Sequence, residues 1–164
     1  MSLRYAGIIK NDIAAAPGIC VSFFTQGCPF RCKGCHNPET WDFKGGKIFT
    51  DRTILEVIEA LDANGIDRTL CIMGGEPLCK ENLPVTAILI EEVKRKRPDT
   101  KIFIWTGFTL EELDVTKDAN LNFIFQNIDC LIDGRYEEDK RDITLSMRGS
   151  SNQRIFFFDK RNFL

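Results

Sequence analysis

The chain has 164 residues, and its 22 Lys and Arg residues against 24 Asp and Glu residues leave a formal charge of −2 at pH 7. Hydrophobic residues make up 43% and charged residues 28%, which is typical of a globular domain and excludes disordered, collagen-like and coiled-coil chains. No apolar run is long enough to span a bilayer, and the nearly balanced charge provides no field that would attract nucleic acid. We therefore expect a single cytoplasmic domain over residues 1–164, with no nucleic-acid partner and no membrane partner.

The hydrophobic pattern predicts strands and helices that alternate along the chain. Strands are predicted over residues 5–10, 19–25, 69–73, 101–105, 130–132 and 155–158. The first helix begins after Asp51, the second ends before Pro98, and the third covers residues 110–125 with a break near Asp114. Residues 26–46 show no sustained period and predict a long loop of the kind that usually carries function. This alternation predicts an α/β fold with a parallel sheet and right-handed crossovers.

Polar and glycine-containing turns follow three of the predicted strands. These turns are Gly74 to Pro77, Thr106-Gly107 and Asp133 to Arg135. Because ligands of parallel sheets bind beyond the carboxyl ends of the strands, we expect the three turns to line one rim. A closed eight-unit barrel needs about 250 residues, so this chain supplies only part of one. The prediction is an incomplete, open (β/α) barrel.

Three cysteines within eight residues of the long loop are the strongest signal in the chain. Cys28, Cys32 and Cys35 follow the pattern Cys-x3-Cys-x2-Cys, and seven cysteines in all cannot pair completely in disulfides. A structural zinc site needs four ligands, and the chain has no second pair at such spacing. Three thiolates suit a 4Fe-4S cluster whose fourth iron stays open to a substrate. A non-catalytic iron-sulfur or zinc module remains the alternative from a different class.

The other chemistry-bearing residues carry weaker signals. Cys20, Cys71 and Cys130 lie inside apolar strands, where buried and inert thiols are common. Cys79 lies near the predicted rim and is a candidate for a fourth ligand or a redox partner. His36, the single histidine, is either a structural residue or a proton carrier. Trp41 and Trp105 are expected to pack in the core or at the rim.

Two motifs together resemble the radical S-adenosylmethionine superfamily: the cysteine pattern, and a later strand that ends in Gly74-Gly75-Glu76-Pro77. The run from Gly27 to Trp41 resembles the activases of glycyl-radical enzymes. Three further segments resemble one branch of these activases, which acts on anaerobic ribonucleoside-triphosphate reductase. These segments are Trp105 to Phe108, Asp133 to Tyr136 and Arg148 to Gln153. Gly34 stands where the superfamily commonly has an aromatic residue, and that branch also uses glycine there.

The resemblance implies a radical S-adenosylmethionine fold, a 4Fe-4S cluster on Cys28, Cys32 and Cys35, and S-adenosylmethionine chelated to the open iron. Glu76 or the carbonyls of its loop would accept hydrogen bonds from the methionine ammonium. Arg135 would pair with the methionine carboxylate, although a surface salt bridge is nearly as good an explanation. The full set expected to bind the cofactor comprises Gly34, Cys35, His36, Gly74, Gly75, Glu76, Asp133 and Arg135.

The reaction implied by the resemblance begins with one electron from a flavodoxin-like or ferredoxin-like donor. The reduced cluster cleaves S-adenosylmethionine to methionine and a 5′-deoxyadenosyl radical, which removes a hydrogen atom from a glycine of the reductase. The alternatives are an activase of another glycyl-radical enzyme, such as pyruvate formate-lyase, and a small-molecule radical synthase. Chain length and Gly34 count against the first alternative, and a closed small-molecule pocket would favour the second.

The segment from Arg148 to Gln153 carries no metal-ligand or acid-base constellation. It is either a polar turn before the final strand, or a segment whose polar side chains help to dock the reductase or complete the rim near the open side. Since arginine is frequent among the residues that dominate interface energies, Arg148 is the residue that separates these two hypotheses.

Overall fold

The computed structural model describes residues 2–158, so the predicted domain of residues 1–164 extends beyond it at both ends. The strands are β1 (Arg4–Asp12), β2 (Cys20–Thr25), β3 (Lys47–Ile48), β4 (Thr69–Gly74), β5 (Ile102–Trp105), β6 (Cys130–Asp133) and β7 (Arg154–Phe157). The helices are α1 (Asp51–Asp62), α2 (Leu83–Lys96) and α3 (Ala119–Asn127). No helix within the described residues is long and apolar enough to cross a membrane.

The seven strands form one sheet in the order β3-β1-β2-β4-β5-β6-β7. The four central strands, β2, β4, β5 and β6, are parallel, whereas β1, β3 and β7 pair antiparallel at the two ends. No pairing among the described residues joins β3 to β7, so the sheet is open and the predicted α/β class is confirmed. The predicted parallel arrangement holds for the four central strands, and the outer strands depart from it. Parallel pairing needs a long crossover, and no α-helix separates β1 from β2 or β6 from β7.

The helices cover one face of the sheet. The side chains that alternate toward them include Phe23, Ile72, Ile104 and Leu131, which pack with residues of all three helices in one apolar cluster. On the opposite face a smaller cluster contains Cys20, Cys71, Cys130, Phe103 and Ile132, with loop residues such as Ala16 and Met147 packed against it. The three strand cysteines are fully buried, as predicted. Burial raises the pKa of the Cys130 thiol to about 12 and that of Cys71 well above its usual range.

The third predicted helix is interrupted more strongly than expected. A short 3-10 turn covers Leu110–Glu112, and regular helix resumes only at α3. The Asp114 carboxylate accepts hydrogen bonds from the Thr116 backbone N–H and hydroxyl, which stabilises a turn instead of a helix. The Asp118 side chain then accepts a hydrogen bond from the Leu121 N–H and begins α3 as its N-cap.

Candidate functional site

The cysteine loop, residues 26–46, leaves the sheet at the end of β2 and is held closed at its base. Gly27 N–H donates to the Thr40 carbonyl at 2.6 Å, and Cys28 N–H donates to the Trp41 carbonyl at 3.2 Å. The buried Gln26 amide donates to the carbonyls of Glu39 and Asp42. These bonds join the two ends of the loop, so the segment between them projects as a unit beyond the sheet.

The three thiols of this loop are half-buried and line one cavity of about 380 Å³. Cys35 N–H donates to the Cys32 carbonyl at 3.1 Å, which closes a tight turn between these two cysteines. Burial raises the pKa of both the Cys28 and Cys32 thiols. Backbone N–H groups of Phe30 and Arg31 oppose this effect at Cys28, since they stabilise the thiolate.

The ends of three neighbouring parallel strands form the opposite wall of the cavity. Gly74, Gly75 and Glu76 come from β4, Thr106 and Gly107 from β5, and Gly134 and Arg135 from β6. The expectation that these three turns share one rim is therefore confirmed. Two residues of the predicted binding set, Gly34 and Asp133, do not line the cavity. The space beside Gly34, which has a φ of +76°, is filled by the Glu138 carboxylate.

Gly74 and Gly75 are required by contacts within the protein. A Cβ on Gly75 would lie 2.3 Å from the Gly27 carbonyl oxygen, and one on Gly74 would lie 2.8 Å from the Thr25 nitrogen. Gly75 N–H donates to the Thr25 carbonyl, and Glu76 N–H donates to the Gly27 carbonyl at 2.8 Å. The two glycines therefore let the β4 turn pack directly against the start of the cysteine loop.

The Glu76 carboxylate is buried and takes three hydrogen bonds from its own chain. The Thr106 hydroxyl and Gly107 N–H each donate to it at 2.6 Å, and Leu78 N–H donates at 2.9 Å. Burial raises the Glu76 pKa to about 7, although these donors and the Arg135 charge oppose the rise. Glu76 therefore ties the end of β4 to the end of β5.

Asp133 and Arg135, two residues apart at the end of β6, lie in different surroundings. The Asp133 carboxylate is fully buried, pairs with the Arg154 guanidinium at 2.6 Å and accepts a hydrogen bond from Leu110 N–H at 2.8 Å. Arg135 lies at the cavity with its guanidinium carbon 4.1 Å from the centre of the Phe30 ring. Its Nη1 lies 3.5 Å from the Glu112 carboxylate.

Of the remaining candidate residues, His36 lies at the cavity and Cys79 does not. His36 is exposed at the cavity with its ring 5.2 Å from that of Tyr136, whereas Cys79 is buried and does not line the cavity. Burial raises the Cys79 pKa to about 12.

Trp105 lines the cavity and donates its indole N–H to the Met147 carbonyl at 2.8 Å. The buried indole nitrogen of Trp41, another lining residue, has no hydrogen-bond partner within residues 2–158.

The segment from Arg148 to Gln153 forms a further wall of the cavity. The Gln153 amide accepts hydrogen bonds from the N–H groups of Gly149 and Ser150 and donates to the Gly134 carbonyl at 2.9 Å. Asn152 donates to the carbonyl of Arg135 at 2.7 Å. Arg148 itself lines the cavity. Asn152 and Gln153 therefore hold this segment against the end of β6.

The three free thiols and the cavity that they line fit a 4Fe-4S cluster. No group of three or more His, Cys, Asp or Glu side chains in the described part of the chain could hold one metal ion. Each thiolate of a 4Fe-4S cluster binds a different iron, so its ligands surround a volume instead of converging on a point. The unpaired indole N–H of Trp41 is a polar group of the kind that a bound ligand could satisfy.

Three residues that shape the site carried little signal in the sequence. Phe30 lies between Cys28 and Cys32, at a position that the spacing of the cysteines leaves unspecified. Thr106 stands at a strand end, and nothing in the sequence indicates that it donates to Glu76. Gln153 belongs to a polar turn, and its bridging amide is visible only in three dimensions.

Comparison with known proteins gives a consistent assignment. Residues 14–156 match the family described as "4Fe-4S single cluster domain". A protein of Pasteurella multocida is 36% identical over 157 residues, covering 95% of this chain and 98% of the relative, and one of Vibrio cholerae is 37% identical over 95% and 99%. A protein of Enterobacteria phage T4 is 32% identical over 94% of both chains. All three carry the name anaerobic ribonucleoside-triphosphate reductase-activating protein, and the chain belongs to this family.

Proposed function

We propose that this chain activates anaerobic ribonucleoside-triphosphate reductase by producing a glycyl radical on it, as an enzyme of the radical S-adenosylmethionine type. The observation that carries the proposal is the single cavity shared by the thiols of Cys28, Cys32 and Cys35 and by the ends of β4, β5 and β6. Membership of the family whose relatives are named as activating proteins supports the identity of the target.

Cys28, Cys32 and Cys35 would hold a 4Fe-4S cluster in this cavity. When bound, the cluster and S-adenosylmethionine supply a 5′-deoxyadenosyl radical that can take a hydrogen atom from glycine. The partial burial of the three thiols supports the assignment, because neighbouring protein limits the access of water to them. An electron donor of the flavodoxin or ferredoxin type would reduce the cluster.

S-adenosylmethionine would lie between the cysteine loop and the strand ends. Arg135 and Arg148 both line the cavity, and their guanidinium groups would pair with the methionine carboxylate. The Glu76 carboxylate already accepts three hydrogen bonds, so backbone carbonyls of its loop are the better acceptors for the methionine ammonium. His36 and Tyr136 would lie beside the bound molecule. Gly34 and Asp133 would act indirectly, through the shape of the loop and of the β6 end.

Anaerobic reconstitution tests this proposal. The protein loaded with iron and sulfide should bind about four irons per chain. After reduction it should convert S-adenosylmethionine to methionine and 5′-deoxyadenosine, both measured by liquid chromatography. A protein that binds iron but never cleaves S-adenosylmethionine would be a non-catalytic module, and the proposal would be wrong.

A further inference from the structure

Phe30 lies between Cys28 and Cys32 and makes close contacts with two strand ends. The Arg135 guanidinium lies over its ring at 4.1 Å, and the Phe108 ring meets it edge to face with the centroids 4.8 Å apart. Both distances lie within the range in which cation-π and aromatic pairs attract. The contacts connect the stretch between Cys28 and Cys32 to the ends of β5 and β6.

The backbone of Gly107 completes the space around the Phe30 ring. A Cβ on Gly107 would lie 2.6 Å from the ring carbon Cδ2 of Phe30, so only glycine lets the ring reach this position. Gly107 is itself fixed, because its N–H donates to the buried Glu76 carboxylate at 2.6 Å. The pocket that receives Phe30 therefore consists of elements that are already tied together.

We propose that Phe30 is the positioning residue of the cysteine loop, and that its clamp of Arg135, Phe108 and Gly107 holds Cys28 and Cys32 against the ends of β5 and β6. The proposal rests on the proposed function in one respect, namely that these cysteines hold the cluster. The hydrogen bonds at the base of the loop fix its two ends, and the clamp fixes the stretch between Cys28 and Cys32. The Arg135 guanidinium therefore lies between the Phe30 ring and the Glu112 carboxylate, to which its Nη1 is 3.5 Å away.

Limited proteolysis of the metal-free protein tests the clamp without any cluster. Trypsin cleaves after Arg31 and Lys33, which are both exposed in the cysteine loop. Phe30→Leu removes the ring and keeps an apolar side chain, so cleavage at these two sites should become about tenfold faster because the loop opens more often. Cleavage elsewhere should not change. Phe157→Leu is the control, since it removes the aromatic contact between the exposed Phe157 and Phe103, outside the loop.

A double-mutant cycle tests whether Gly107 forms part of the clamp. Gly107→Ala alone should accelerate cleavage after Arg31 and Lys33, because its Cβ displaces the Phe30 ring. In the Phe30→Leu background the same change should have a much smaller effect, since the clamp is already lost. Equal effects in both backgrounds, or normal cleavage of Phe30→Leu, would overturn the proposal.

Iron release then connects the clamp to the cluster. From reconstituted protein, a chelator should remove iron about tenfold faster in Phe30→Leu than in the wild type, and Phe30→Tyr should restore the slow rate. If Phe30→Leu opens the loop in proteolysis but releases iron normally, the positioning role is wrong. If the wild type binds no cluster, the proposed function fails, and the proteolysis still decides whether the clamp exists.

Discussion

The two buried carboxylates at the strand ends differ in how their charges are compensated. Asp133 faces the Arg154 guanidinium directly, and that arginine also pairs with Glu111. Glu76 has three neutral hydrogen-bond donors, and burial is the largest influence on its pKa, which rises to about 7. A buried carboxylate without a directly bonded cation costs free energy when it ionises. Ionisation of Glu76 therefore lowers the stability of the fold as pH rises, whereas ionisation of an ion-paired carboxylate raises it.

We predict that the metal-free protein loses stability between pH 4.5 and 7 because of Glu76. Below its ordinary pKa of 4.5, Glu76 holds a proton in both the folded and the unfolded states, whereas between 4.5 and about 7 only the folded state keeps it. The free energy of unfolding should then fall with rising pH, by at most about 1.4 kcal/mol per pH unit. Urea denaturation of the wild type and of Glu76→Gln at several pH values measures this free energy of unfolding. The stability difference, wild type minus variant, should decrease across this window, and a constant difference would contradict the prediction.

We predict that replacing Cys28, Cys32 or Cys35 by alanine abolishes cleavage of S-adenosylmethionine. Each replacement removes one thiolate that the cluster needs, and the alanine side chain offers no substitute ligand. Cys20→Ala and Cys130→Ala are the controls, because both residues are buried in the sheet away from the cavity. Iron content and formation of 5′-deoxyadenosine are measured after anaerobic reconstitution. Retained cleavage in Cys32→Ala would contradict the assignment.

The position of Arg148 at the cavity determines whether its replacement should affect cleavage of S-adenosylmethionine or only docking of the reductase. A residue that only docks the reductase would leave cleavage of S-adenosylmethionine intact, but Arg148 lines the cavity. We expect Arg148→Ala to weaken binding of S-adenosylmethionine about tenfold, because one charged hydrogen-bond partner is lost. Cleavage and glycyl-radical formation should therefore fall together. Arg95→Ala, a change on the exposed side of α2, should alter neither. Loss of radical formation with normal cleavage would return Arg148 to a docking role.

At the scale of elements, the cavity wall at residues 145–153 depends on side chains that bond to backbone. We predict that Gln153→Ala lowers the free energy of unfolding of the metal-free protein by about 1 to 3 kcal/mol. It leaves two N–H donors and the Gly134 carbonyl without their partner. Gln126→Ala on the exposed face of α3 is the matched control, and a change within about 0.5 kcal/mol is expected there. Equal stability losses would show that the bridge contributes nothing.

The regular elements were predictable because their patterns are local. The helix periodicity after Asp51 and the apolar strand before Gly74 both match the structure. The two-residue strand β3 and the antiparallel placement of β7 have no comparable local signal, since they depend on pairing partners far along the chain. The sequence also indicated which strand ends meet at the rim. It did not indicate that the Glu76 carboxylate is hydrogen-bonded within the protein, because its donor Thr106 lies on another strand end.

At the scale of the whole molecule, the open sheet and its one-sided helix layer leave the cavity reachable. The central parallel strands bring three turns to one edge, and the cysteine loop lies against that edge. A glycine inside another folded protein can reach a reactive group only where the enzyme is not closed around it. The open side of the sheet therefore suits a macromolecular substrate, as the proposed function requires.

Electron paramagnetic resonance of the reductase tests the central claim most directly. The reconstituted protein, S-adenosylmethionine, a one-electron reductant and anaerobic ribonucleoside-triphosphate reductase are incubated together without oxygen. We predict a glycyl-radical signal on the reductase that is absent when Cys32→Ala replaces the wild type. A cluster-loaded protein that cleaves S-adenosylmethionine but produces no glycyl radical on the reductase would contradict the account.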